Sequence, residues 1–213
     1  MNILEAIFPN IVALEPYYSK DGGNATRIYT ASGEIIIDKR RIRTVLKQLA
    51  RHYNADVAYL RQKYGKIVNC NLIVPLPLSL HLVLVPLKMR LPKFEQDGAT
   101  GYINACAVTR IEASAPPAGK AGSRCLVTLT GGFKLTCYIS LSKMEERLSK
   151  SDHALTHFKE LHRIKKPDGK ALVMEQASAD ALNKVATASR LLYEMLVGHA
   201  THSIACEKNE GDY

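Results

Sequence analysis

Nine lysines and arginines lie between Lys39 and Lys66 against a single acid, Asp56. Arg43, Lys47 and Arg51 recur every fourth residue, which lines them up on one face of an α-helix. Such a row makes and breaks no bonds. Its chemistry is the binding of a polyanion, through charge-assisted contacts to phosphate or carboxylate oxygens. With Asp38 as N-cap, Lys39, Arg40 and Arg41 would fill the first helical turn, where the macrodipole disfavours cations, so the placement costs helix stability unless an anion is held there. A second group, Arg61, Lys63 and Lys66, frames Tyr64 and Gly65 and reads as a loop between strands, able to enter a groove. Taken alone, the charge run fits a solvated helix face as well as a polyanion surface.

Other chemistries find less support. Gly119-Lys120 lacks the glycine that a phosphate-binding loop needs at the position of Ser114. His153 and His157 have helical i, i+4 spacing, but Ala154, Leu155 and Thr156 stand between them, without the glutamate of a zinc-protease helix. No two of Cys70, Cys106, Cys125, Cys137 and Cys206 are close enough for a local zinc knuckle, and no nucleophile elbow occurs. Neither catalysis nor a metal or nucleotide cofactor is expected. Tyr53, Tyr59 and Tyr64 are interleaved with the cations, but tryptophan is absent and the RNA-recognition signature is missing.

The elements that must hold these cations follow from periodicity. Ile42, Val45, Leu46, Leu49, Ala50 and Tyr53 form one apolar helical stripe beside the cationic one. Before that helix, Thr26–Thr30 and Glu34–Ile37 flank Ala31-Ser32-Gly33 as a hairpin. The same order returns as Cys125–Thr130, the turn Gly131-Gly132, Phe133–Ile139 and a helix from Ser142 to about Lys150, with Ser142 and Glu145 as a capping box. A shift of 98 positions places Gly33 on Gly131 and Thr44 on Ser142. A second echo relates Lys66–Cys70 to Gly101–Ala105, each with an Asn before a strand, Leu72–Val74 and Ala107–Ile111. Ser79–Val85 is a strand with both faces apolar, hence buried or shared.

Loops are expected at Leu91–Thr100 and Ala113–Ser123. Towards the end come a short helix at His153–Leu161, a basic turn at Arg163–Lys170, and a long amphipathic helix capped by Ser178. The expected division is 1–90, a first β-rich unit with the basic helix; 91–150, a second hairpin–helix unit; and 151–213, a helical segment.

With 213 residues, 46% apolar, the chain can bury a substantial core, and a net charge of +9 points to nucleic acid or an anionic surface. The longest apolar run, Leu72–Leu87, is too short for a membrane span and is broken by Pro75, Pro77 and Pro86, which suggest short edge strands. No secretion signal opens the chain. Five scattered cysteines in apolar contexts suit buried, reduced thiols in the cytoplasm.

Over about Leu14–Leu161 the order of elements resembles the competence transcription factor family, ComK. The resemblance rests on Thr26-Arg27-Ile28, Arg61-Gln62-Lys63 before Tyr64-Gly65, Leu82–Pro86, Tyr102-Ile103-Asn104, and Thr130–Leu135 with the helix after it. Tyr102 stands where that family is expected to carry tryptophan. The strand–Gly–strand–Ser–helix unit also resembles the LytTR type of DNA-binding module, with Arg61, Lys63 and Lys66 leading into Val68-Asn69. The resemblance implies a bacterial activator without a metal or nucleotide cofactor. It would bind AT-rich promoter DNA as repeated subunits, its level set by a proteolytic adaptor.

The expectation is thus an α+β protein of two LytTR-like hairpin–helix units with a helical C-terminal segment, binding double-stranded DNA for transcriptional control. Arg40, Arg43, Lys47 and Arg51 would hold phosphates. Arg61, Lys63 and Lys66 would enter a groove, with Arg61 as the probe of a narrow minor groove. The alternative is a basic module for an acidic protein or RNA.

Overall fold

Among the described residues, short β-favouring runs separated by turns alternate with helices. The computed structural model describes residues 6–20, 22–115 and 122–162. A 3-10 turn at Phe8–Asn10 leads into β1 (Ile11–Tyr18), β2 (Asn24–Thr30), β3 (Ile35–Asp38), α1 (Ile42–His52) and α2 (Val57–Ile67). Then follow β4 (Leu76–Ser79), β5 (Leu82–Lys88) and β6 (Thr100–Asn104), a second 3-10 turn at Ala105–Ala107, β7 (Val108–Ser114), β8 (Arg124–Leu129), β9 (Lys134–Cys137) and α3 (Leu141–Leu161). The protein is α+β, with an antiparallel six-stranded sheet in the order β3-β2-β1-β6-β5-β4 and an antiparallel three-stranded sheet β7-β8-β9.

The internal repeat is real and longer than the sequence suggests. Both halves run 3-10 turn, strand, strand, strand, helix. In the first hairpin the amide of Thr30 donates to Glu34 O and that of Gly33 to Thr30 O; in the second, Leu129 donates to Phe133 O and Gly132 to Leu129 O. Both first-strand pairings carry an irregularity at the same place, between Ile11 and Ala13 and between Val108 and Arg110. The structural offset is therefore 97 through the 3-10 turn and first strand and 99, not 98, from the hairpin turn onwards. Gly33 matches Gly132, both with positive φ, and the N-cap Arg41 matches the N-cap Ser140. Gly131 stands where the first turn has Ser32, and this second glycine shifts the match read from sequence by one. It is needed because a Cβ there would meet Thr30 O of the other turn at 2.9 Å.

The two repeats do not divide the chain at residue 90. β6 is hydrogen-bonded between β1 and β5, so the first sheet draws a central strand from beyond that point. The described residues up to His162 belong to one compact unit. The large sheet is buried on both faces along its central strands, while the edge strand β3 leaves Ile35 and Ile37 exposed. On one face Ile11, Leu14, Ile28 and Leu84 pack with Val45, Leu49, Leu60 and Tyr64 of α1 and α2. On the other, Val12, Val85, Leu87 and Ile103 pack with Val127, Leu129 and Leu135 of the small sheet. α3 serves both cores, with Met144 and Leu148 in the second and Ala154 and Phe158 in the first. Each fully buried Val or Leu contributes roughly 1.5–3 kcal/mol of transfer free energy.

Several expectations are corrected. Arg61–Lys66 is not a loop but the body of α2, whose N-cap Asp56 accepts from the Tyr59 amide at 2.8 Å. Tyr64 is only 1% exposed. Asp38 ends β3 and does not cap α1; Arg41 is the N-cap, without a side-chain bond. Ser140, not Ser142, caps α3, and that helix continues through His153–Leu161 without a break. Asn69 lies at φ +48° after α2, whereas Asn104 caps a 3-10 turn and bonds Val83 N and His81 O, so the second echo has no structural counterpart. Leu72–Val74 is not a strand, and Ser79–Val85 is split by a turn before β5. Pro77 lies on the edge strand β4, but Pro86 lies in β5, an interior strand, beyond the last residue that β4 pairs. Among the thiols, Cys125 and Cys137 are buried, Cys70 is half-buried and Cys106 exposed. Gly119-Lys120, Arg163–Lys170, Cys206 and the helix expected from Ser178 lie outside the described residues.

Candidate nucleic-acid interface

α1 forms because its apolar stripe has a core to enter: Val45, Leu46, Leu49 and Ala50 are buried. Its other face is left to Arg43, Lys47 and Arg51, all exposed. α2 follows after a turn in which Asn54 takes φ +53°, and packs beside it. This pairing brings Arg61 towards Arg43 and Lys47.

Three hollows adjoin along this side of the molecule. The middle one, about 690 Å³, is lined by Arg43 and Lys47 of α1, Arg61 of α2, Lys88 at the end of β5 and Arg147 of α3. A second, about 460 Å³, lies at the head of α3. It shares Lys88 and Arg147 with the first and adds Arg124 and Lys143. A third, about 270 Å³, lies at the head of α1. It shares Arg43 with the middle hollow and adds Arg41 and Arg90. Nine cations therefore line a continuous concave path, and the only carboxylate in the linings is Asp56, which is engaged as the cap of α2. Helix N-termini carry partial positive charge, so both outer hollows add the same sign of field.

Two guanidinium groups are held in place. Arg61 Nη2 donates to Tyr102 Oη at 2.9 Å, and Arg147 Nη1 donates to the carbonyl of Pro86 at 3.0 Å. Burial pulls the Arg147 guanidinium below the usual arginine value. An anion docked beside it would offset that desolvation. At the third hollow Arg90 donates to Gly98 O at 2.8 Å and stacks 4.0 Å from the ring centre of Tyr18. The loop Leu91–Ala99 is pinned there by Asp97, which accepts from Asn24 at 2.8 Å and from Tyr18. These bonds hold the Asp97 carboxyl below its ordinary value of 3.8.

The seven candidate cations part company. Arg43, Lys47 and Arg61 share the middle hollow. Arg40 is occupied by Asp38 and Gln48, with Nε to Asp38 Oδ1 at 2.9 Å and Nη1 to Gln48 Oε1 at 2.6 Å, and Arg40 holds the Asp38 carboxyl down. Arg51, Lys63 and Lys66 line none of the three hollows; Lys63 lies 5.8 Å from the ring centres of Tyr59 and Tyr64. Reading the sequence missed Lys88, Arg147, Arg124, Lys143, Arg41 as a lining group, and Arg90. One signal was available: Lys143 and Arg147 stand four apart on a helix. The meeting of β5 with α1 across the sheet had none.

Among the described residues no group of three side chains could hold a metal ion, and no helix is long and apolar enough to cross a membrane. No family model, curated protein or solved structure matches this chain.

Proposed function

We propose that this protein binds double-stranded DNA as a transcription regulator of the competence-activator type, acting in the cytoplasm as repeated copies on AT-rich promoter sites. The observation that carries the binding is the concave path of nine cations against one carboxylate, drawn from five separate elements and the connections beside them. A solvated charge run would be scattered and open. This one is convergent, and it includes a half-buried guanidinium whose desolvation an anion would relieve. The tandem hairpin–helix repeat supports the comparison with two LytTR-like units. Preference for AT-rich sites rests on the ComK resemblance. In this reading Arg61 acts from a helix as a phosphate contact, tethered to Tyr102, and not as a loop probe.

The concavity favours one alternative: a single strand of RNA or DNA laid along the path, since an extended backbone fits a furrow more readily than a duplex does. Titration of the protein with duplex DNA of AT-rich and mixed composition, single strands and RNA separates the two. The proposal expects tightest binding to AT-rich duplex, with a steep loss of affinity as salt rises and a slope shallower by about 0.9 for Lys47→Ala. Preference for single strands would replace it with the alternative, and binding to no nucleic acid at low salt would end both.

A further inference from the structure

The middle hollow has features that phosphate binding does not use. Ile42, Leu46, Val57, Ile73 and Pro86 contribute apolar wall, and Leu72 stands at it 90% exposed. Leu72 is the most exposed of the large apolar side chains among the described residues. It sits in the short connection after α2, held by the Cys70 amide on Gly65 O at 2.9 Å. A nucleic-acid backbone gains nothing from an isoleucine, a valine and a proline, whereas an apolar ligand would bury them together with the exposed leucine that stands beside five cations.

The volume, about 690 Å³, falls within the range of small-molecule sites. We infer that the middle hollow is a binding site for a small amphipathic organic anion, an apolar body carrying a phosphate group. The apolar wall from α1, α2 and Leu72 would take the body, and the guanidinium groups of Arg61 and Arg147 would take the phosphate. Both arginines are already fixed by one hydrogen bond each, to Tyr102 and to Pro86, so little side-chain freedom is lost when their remaining N–H groups turn to an anion. The two partners argue for this class together: charge complementarity selects the anion, and the leucine and isoleucines select a hydrocarbon or ring rather than a bare ion.

The site goes beyond the DNA-binding reading but touches it at one point. Because Arg61 and Arg147 belong to the cationic path as well, the ligand's phosphate and a polyanion cannot use them together, so the ligand would weaken DNA binding.

Calorimetric titration of the full chain with inorganic phosphate, butyl phosphate, octyl phosphate and 1-octanol tests the inference without DNA. Affinity should rise from inorganic phosphate to octyl phosphate, by up to about fourfold for each methylene buried, and 1-octanol should bind at least tenfold more weakly than octyl phosphate. Leu72→Ser should flatten the chain-length gradient, and Arg61→Gln should weaken octyl phosphate while leaving 1-octanol unchanged. Equal binding of inorganic and octyl phosphate would reduce the hollow to an anion site and overturn the inference. Equal binding of octyl phosphate and 1-octanol would overturn it from the other side. Loss of the DNA-binding reading would appear separately, as absence of duplex binding by a protein that still takes octyl phosphate.

Discussion

Arg61 illustrates what a single residue owes to its surroundings. As a free cation on a loop it would carry its full rotamer entropy into any contact. On α2, with Nη2 on Tyr102 Oη, part of that freedom is already spent. Tyr102→Phe removes the tether while keeping the ring, so folding stability should fall by about 0.5–1.5 kcal/mol, read by urea denaturation, and polyanion affinity should fall by about two- to fivefold. Asp97 makes a second residue-scale case. Its carboxyl is held below 3.8 by Asn24 and Tyr18. A depressed folded value means that the contribution is complete above the unfolded value and is lost as pH falls through the folded one. Acidification below about pH 4 should therefore release the loop Leu91–Ala99 and expose Tyr18 before the core yields. Hydrogen exchange of the Lys93 and Phe94 amides, which donate to Tyr18 Oη and Asp97, would report it; protection unchanged after the Asp97 carboxyl has itself been protonated would contradict the assignment. The cations were legible one by one from the sequence. Which of them were already engaged was not, because the Asp38 carboxylate two residues from Arg40 reads from sequence as a helix cap, and Gln48 reaches Arg40 only once α1 has formed.

The elements show where periodicity succeeds and where it slips. The stripe of α1 was plain because its apolar and cationic rows are both helical and both long. α2 was not, because Tyr64-Gly65 within a basic stretch reads as a turn, and glycine in a helix costs about 1 kcal/mol relative to alanine. Here the glycine answers packing. A Cβ on Gly65 would stand 2.8 Å from the backbone oxygen of Cys70. Gly65→Ala should accordingly destabilise, by about 1–3 kcal/mol, despite alanine's better propensity; a rise in Tm would contradict the packing account. The repeat makes a similar point. An offset of 98 aligned Gly33 with Gly131 and suggested Ser142 as cap, whereas the hydrogen bonds of both turns impose 99 and make Ser140 the cap, accepting from Lys143 N at 3.3 Å. Ser140→Ala should cost about 1 kcal/mol in thermal unfolding and Ser142→Ala much less. The reverse order would restore the capping box read from sequence.

At the scale of the molecule, the cationic path comes from how the layers are stacked. α1 and α2 cover one face of the large sheet, the small sheet covers the other, and α3 runs from one core to the other, carrying Lys143 and Arg147 to the side where Arg43 and Lys47 already stand. None of these pairings is local, which is why the α+β class and the hairpin–helix repeat could be read in advance and the assembled path could not. Lys47, Lys88 and Lys143 bring one cation each from α1, β5 and α3, while Lys63, Lys66 and Lys134 carry equal charge but line none of the three hollows. The salt dependence of duplex DNA binding by the two triple Lys→Gln variants tests the central claim most directly. The path predicts that the log–log slope becomes shallower by about 3 when Lys47, Lys88 and Lys143 are replaced, with little change when the other three are. Equal slopes for the two variants, or the larger change in the second, would contradict it.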